Sequence, residues 1–162
     1  MTILHLSHTT PINPPSTTPV LTLPQIWAGL QRKVRHAEEF VPVIASCTVL
    51  EEREDGTVVR DVVFKAGLGP KAKARETVRE YYPSWVDFEQ EDRTHIRNVV
   101  SSGSSGSPED LYMTYMFEFN LPHVQEGSQE VEEERERLKG MAKMAVEKSI
   151  ETIRAMVGDG RI

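Results

Sequence analysis

The chain has 162 residues, a net charge of −6 and a single cysteine, enough for one domain with a real core and too few for two comfortable ones. With 38% hydrophobic and 27% charged residues, and no apolar run near the ~20 residues that cross a bilayer, it reads as neither disordered nor membrane-embedded. The acidic balance, without a compact Lys/Arg stripe, argues against nucleic acid and anionic membranes as partners. Lone Cys47 excludes an internal disulfide, and the N-terminus lacks a basic segment followed by an apolar one, so the expected compartment is the cytoplasm.

In chain order, Thr2 to Leu6 reads as a short strand, and the prolines at 11, 14, 15 and 19 predict an extended run over the surface for the rest of residues 1–21. Thr22, Pro24 and Gln25 form a helix start: Thr22 caps, Gln25 reaches back, and proline is tolerated in the first turn. Ile26, Trp27, Leu30, Val34 and Ala37 then recur at helical spacing, and Pro42 predicts the end of that helix. Ile44–Glu51 and Thr57–Lys65 are β-branched runs joined by the hairpin signal Glu54-Asp55-Gly56. Gly67-Leu68-Gly69-Pro70 predicts a turn, and Arg75–Tyr82, Trp85–Gln90 and His95–Val100 follow as strands with short connections. Ser101–Pro108 reads as a mobile Gly/Ser loop. Leu111–Phe119 places Leu111, Met113, Tyr115, Phe117 and Phe119 on one apolar face. A long helix over 129–157 closes the chain, with carboxylates in its first turns and Leu138, Met141, Ala142, Ala145, Ile153 and Met156 as its stripe. Gly140 inside it costs up to about 1 kcal/mol against alanine, which a close approach or room for a ligand would offset.

Short links between successive strands imply an antiparallel meander. The expected class is therefore α+β: a single helix-grip domain over 1–162, its curved antiparallel sheet wrapped around the C-terminal helix with an internal cavity. Three polar residues break the apolar faces. Arg60 lies among Val58, Val62 and Phe64, Glu76 shares parity with Val78, and Asn98 sits between Ile96 and Val100. Burying such groups costs several kcal/mol unless they are paired. Either they satisfy one another, Arg60 with Glu76 as a structural ion pair, or they line a cavity for a polar ligand. No His/Cys/Asp/Glu grouping has metal-ligand spacing, and no glycine-rich stretch matches a phosphate-binding pattern, so no metal and no cofactor are expected.

The segments PINPP, LTLPQIWAGLQRKVRHAEEFVPVI, RETVREYYPSWVDFE and DLYMTYMFEF resemble the START-like, pollen-allergen-like (SRPBCC) superfamily. Within it, the likeness is to a fungal and bacterial subfamily of formerly unknown function that includes the pyrone-forming polyketide cyclase of aurovertin-type pathways. The resemblance implies secondary metabolism and a cyclase that assists 2-pyrone (lactone) formation from a linear poly-β-keto thioester released from a polyketide synthase. The partner would be a hydrophobic polyketide ligand, with a synthase carrier domain as a further one. The alternative is a non-catalytic carrier for a hydrophobic small molecule.

Such a reaction needs a base, donors for a developing oxyanion, and a folded substrate. On strand parity the candidate base is Glu76, oriented by Arg60, with Asn98 and the Tyr115 hydroxyl as donors. Phe64, Val78, Phe88, Met113, Phe117 and Met141 are the candidate substrate wall. Tyr115 and Gly140 read equally as core packing, and Cys47 as an inert thiol.

Overall fold

A computed structural model describes residues 2–69 and 71–162. Seven strands form one antiparallel sheet: β1 (Thr2–Pro11), β2 (Ile44–Glu52), β3 (Val58–Phe64), β4 (Lys73–Tyr81), β5 (Trp85–Gln90), β6 (His95–Ser102) and β7 (Leu111–Leu121). Their order is β1-β7-β6-β5-β4-β3-β2, so β2 to β7 form a meander and β1 returns to pair with β7. Helices α1 (Leu23–Arg35) and α2 (Gln129–Gly158) cover one face. This is the helix-grip arrangement, a long C-terminal helix gripped by a curved sheet.

Local chemistry explains most boundaries. The Thr22–Gln25 capping box starts α1 as its sequence demands, the Thr22 amide donating to Gln25 Oε1 at 2.9 Å. Gly56 supplies the positive φ of +84° that the β2–β3 hairpin needs. Every inward residue named on β7, from Leu111 to Phe119 at every second position, is buried.

Four expectations are corrected. Strand β1 runs to Pro11 rather than Leu6, because it pairs with β7 along its whole length. The proline-rich segment is anchored rather than merely laid on the surface: Ile12 and Leu21 are fully buried. Asn13 bonds the Leu21 and Glu109 carbonyls, and the Arg154 guanidinium bonds the carbonyls of Pro19 and Ile12. Helix α1 stops at Arg35, well before Pro42, because His36 leaves helical geometry at φ −135° and a 3-10 turn (Ala37–Glu39) follows. The Gly/Ser loop is tied down by Asp110, whose Oδ2 accepts from the Ser105 amide at 3.0 Å and the Ser105 hydroxyl at 2.7 Å. The turn expected at Gly67–Pro70 starts earlier, the Leu68 amide donating to the Lys65 carbonyl at 3.0 Å with Gly67 at φ +72°, and Pro70 lies outside the described residues.

Two helical glycines sit in opposite surroundings. A Cβ on Gly29 would stand 2.5 Å from Ile153 Cγ1, so α1 and α2 approach closely only because residue 29 has no side chain. Gly140 faces open space, with none of the described residues within 4 Å of where a Cβ would stand beyond its own helix backbone. It is neither a packing contact nor a clash.

Candidate active site

The helices do not close fully on the sheet, and a cavity of about 90 Å³ remains between the layers. That is well above the roughly 10–15 Å³ that one water requires. The wall is mostly apolar, with Phe64, Phe88, Ile96, Phe117, Phe119 and Met141 contributing. Val41, Val43, Phe64 and Met141 are half-exposed and lie where the 3-10 turn, β2, β3 and α2 meet. The polar end is fully buried and holds Lys33, Arg60, Glu76, Asn98 and Tyr115.

Parity brings Arg60, Glu76 and Asn98 inward as expected, and register adds what parity could not. Arg60 stands directly opposite Glu76 on β3 and β4, and Glu76 opposite Gln90 on β5. Arg60 Nε and Nη2 donate to Glu76 Oε2 at 2.8 and 2.6 Å, and Gln90 Nε2 donates to Oε1 at 2.8 Å. Arg60 Nη1 also donates to the Lys33 and Val34 carbonyls at 2.9 and 2.8 Å. The guanidinium therefore caps the last turn of α1, where the helix dipole favours a cation.

This arrangement bears on the base expected at Glu76. Both carboxylate oxygens are already engaged, Oε2 by the Arg60 guanidinium and Oε1 by the Gln90 amide. The Arg60–Glu76 pair is the structural ion pair that sequence reasoning kept open, and it braces the helix that carries Lys33.

Lys33 is the residue that sequence reasoning missed. Its Nζ donates to Asn98 Oδ1 at 2.6 Å and to the Tyr115 hydroxyl at 2.9 Å, the two side chains standing opposite each other on β6 and β7. It lies 4.2 Å from the Tyr115 ring centroid and 5.5 Å from that of Phe88. Among the described residues it forms no ion pair with a carboxylate. Burial, reinforced by the Arg60 charge and partly opposed by Glu76, pushes its pKa down from 10.5 to about 7. Burial likewise pushes the Tyr115 phenol upward, so it stays protonated. Asn98 Nδ2 and Gln90 Oε1 are buried without a partner among the described residues.

Six aromatic and aliphatic candidates divide by depth. Phe64, Phe88, Phe117 and Met141 line the cavity. Val78 and Met113 do not; both are fully buried in the hydrophobic core that also holds Ile26, Leu30 and Ile153. Cys47 is half-buried and touches the same support, its Sγ lying 3.8 Å from both Arg60 Nη1 and the Val34 carbonyl.

What the site can do chemically follows from this inventory. It offers an amine near its protonation midpoint at neutral pH, a phenol that can donate, and a free amide N–H pair, all facing an apolar space. That set suits proton transfer at an acidic carbon and support of a developing oxyanion.

A family model described as Acetylaranotin biosynthesis cluster protein L matches residues 6–160. A protein of that description from Aspergillus terreus (strain NIH 2624 / FGSC A1156) is 26% identical over 157 residues, covering 96% of this chain and 91% of its own. Among solved structures, the di-domain ARO/CYC StfQ from the steffimycin biosynthetic pathway matches with a TM-score of 0.69 at 12% identity, over 98% of this chain and 52% of that one. KanY protein matches at 0.65 and 11%, covering 98% of this chain and 99% of its own. The di-domain ARO/CYC BexL from the BE-7585A pathway matches at 0.65 and 12%, covering 94% and 49%. The chain thus spans about half the length of the two di-domain proteins, and likeness at this identity establishes the fold alone.

Proposed function

Since the chain belongs to the Acetylaranotin biosynthesis cluster protein L family, we propose that it is a cyclase acting on a poly-β-keto, polyketide-type intermediate in secondary metabolism. The finer reading is closure of a 2-pyrone from a linear 3,5-diketo thioester. Its fold, shared with ARO/CYC proteins of two biosynthetic pathways, supports the coarser half. The observation that carries the proposal is Lys33: a buried amine, with no ion-pair partner among the described residues, held between Asn98 and Tyr115 at the end of an apolar cavity.

In this mechanism neutral Lys33 replaces Glu76 as the base. It takes the proton from the carbon between the C3 and C5 carbonyls, leaving an enolate whose C5 oxygen attacks the thioester carbonyl. Asn98 Nδ2 and the Tyr115 hydroxyl steady the oxyanion of the tetrahedral intermediate. Collapse breaks the carbon–sulfur bond, and the thiol leaves with the proton that Lys33 holds. The Arg60–Glu76–Gln90 row touches no reacting atom; it positions α1 and so the amine. The aromatic wall folds the chain so that its ends meet.

The test is the rate at which a synthetic 3,5-dioxohexanoyl thioester forms its lactone. The proposal expects acceleration over buffer, lost in Lys33→Met. Saturable binding with no acceleration would replace the cyclase with the non-catalytic carrier. Equal rates for wild type and Lys33→Met would remove the amine from the mechanism.

A further inference from the structure

The same amine has a second chemistry. We infer that Lys33 is a covalent capture site for ketones of the 1,3-dicarbonyl class, condensing with them to an enaminone. The inference rests on reading the cavity as a site for β-keto compounds, though not on a lactone being the product.

The geometry has three parts. First, Nζ is buried at the cavity end and spends two hydrogen bonds, on Asn98 Oδ1 and the Tyr115 hydroxyl. Among the described residues it forms no ion pair with a carboxylate, which would hold it as an ammonium. Second, Asn98 Nδ2 is an unpartnered buried donor on the very amide that holds the amine. It can take the carbonyl oxygen while the carbonyl carbon meets Nζ. Third, the Tyr115 hydroxyl, within 2.9 Å of Nζ, is a protonated group beside the oxygen that must leave. Desolvation in an apolar pocket is one of the ways a lysine becomes nucleophilic at neutral pH, and the depressed pKa of this amine is the same effect.

The step balances without oxidant or reductant. The nitrogen lone pair forms the carbon–nitrogen bond, and a proton moves from nitrogen to oxygen to give a carbinolamine. The carbon–oxygen bond then breaks, water departs with a proton relayed by Tyr115, and the phenol recovers its proton from the iminium nitrogen. Transfer of a proton from the central carbon to the imine nitrogen then yields the enaminone. In that species the central carbon is the nucleophile, so a bound polyketone would be directed toward carbon–carbon ring closure. The free-amine route of the lactonase reading uses oxygen instead.

The experiment is incubation of the full chain with pentane-2,4-dione near pH 7, followed by intact mass and peptide mapping. The expected result is one adduct, of the diketone mass less one water, on the peptide carrying Lys33. It should form on the order of a hundredfold faster than at surface lysines, which are almost wholly protonated at that pH. Lys33→Met should lose the adduct, and Tyr115→Phe should slow it while leaving the site of modification unchanged. An unmodified Lys33 in wild type, or labelling spread over surface lysines at equal rates, overturns the inference. Thioester lactonisation without the adduct refutes covalent capture and keeps the cyclase; the adduct without lactonisation does the reverse.

Discussion

Replacing Lys33 with methionine should abolish a specific pH dependence of folding stability. The folded-state pKa of this amine lies at about 7 against an ordinary 10.5. Between those values the unfolded chain binds a proton that the folded chain does not, so stability rises with pH across the window. The whole penalty, on the order of 5 kcal/mol, stands below the lower value and is gone above the upper one. From pH 7 to about pH 9.5 the wild type should gain about 3 kcal/mol that Lys33→Met does not. Tyr115 sets the upper limit of the useful range. Its raised pKa keeps a proton in the folded state that the unfolded chain loses above about pH 10, so its contribution falls as pH rises further. The substitution also strands Asn98 Oδ1 and the Tyr115 hydroxyl, but that offset of about 1–3 kcal/mol does not vary with pH. Urea unfolding of both proteins at four pH values in this range measures the difference between them. A difference that stays constant with pH would mean that Lys33 is an ordinary ammonium in the folded state, and the reasoning would fail.

Glu76→Gln leaves the Arg60 guanidinium buried without its countercharge and should cost about 3–5 kcal/mol in chemical denaturation; a cost below about 1 kcal/mol would show that the row is not bracing α1. Gly29→Ala forces a Cβ to within 2.5 Å of the branched, buried Ile153, and should destabilise by about 1–3 kcal/mol. Gly140→Ala should do the opposite, raising stability by up to about 1 kcal/mol, since none of the described residues lies within 4 Å of the new methyl beyond its own helix backbone. Equal thermal shifts for the two glycine variants would contradict the helix contacts. Asn98→Asp sets a carboxylate where the amide oxygen lies 2.6 Å from Nζ, and should raise the lysine pKa by about 1–3 units. The activity or adduct pH profile should move upward with it; an unchanged profile would separate Lys33 from the titrating group.

How much of this was legible in the sequence depends on which question a period can answer. A period of two says which face a strand residue takes, and it placed Arg60, Glu76, Asn98 and Tyr115 inward on β3, β4, β6 and β7. It says nothing about depth along the strand, which is why Val78 and Met113 share the inward face yet sit in solid core. Gln90 had the same signal, two residues beyond Phe88 at the end of the strand read over Trp85–Gln90, and was not singled out. Lys33 was hidden by composition. Flanked by Arg32 and Arg35 it reads as part of a solvated basic turn, yet the spacing Ile26, Leu30, Lys33, Ala37 puts it on the buried stripe. A charged residue at a stripe position is the helical counterpart of a polar residue at inward parity, and deserved equal weight. The end of α1 could not be placed from Pro42 alone, because His36 breaks the helix first.

The ionic content of the chamber explains why an amine there stays poised. Arg60 and Glu76 cancel each other through two hydrogen bonds to one oxygen, and the other Arg60 nitrogen donates to two backbone carbonyls. A protonated Lys33 is then the uncompensated charge in a low-dielectric space, and releasing its proton is the cheapest remedy. A ligand that becomes anionic in the cavity would reverse the preference, since an enolate supplies the missing negative charge and favours the ammonium. Proton transfer from an acidic carbon to Lys33 thus converts a neutral amine and neutral ligand into a matched ion pair. The cavity that disfavours a lone cation favours that pair. On the proposed function, selectivity for ligands with an acidic carbon follows from the charge count itself. A ketone without a second carbonyl should fill the same apolar walls and leave the proton balance of Lys33 where it was.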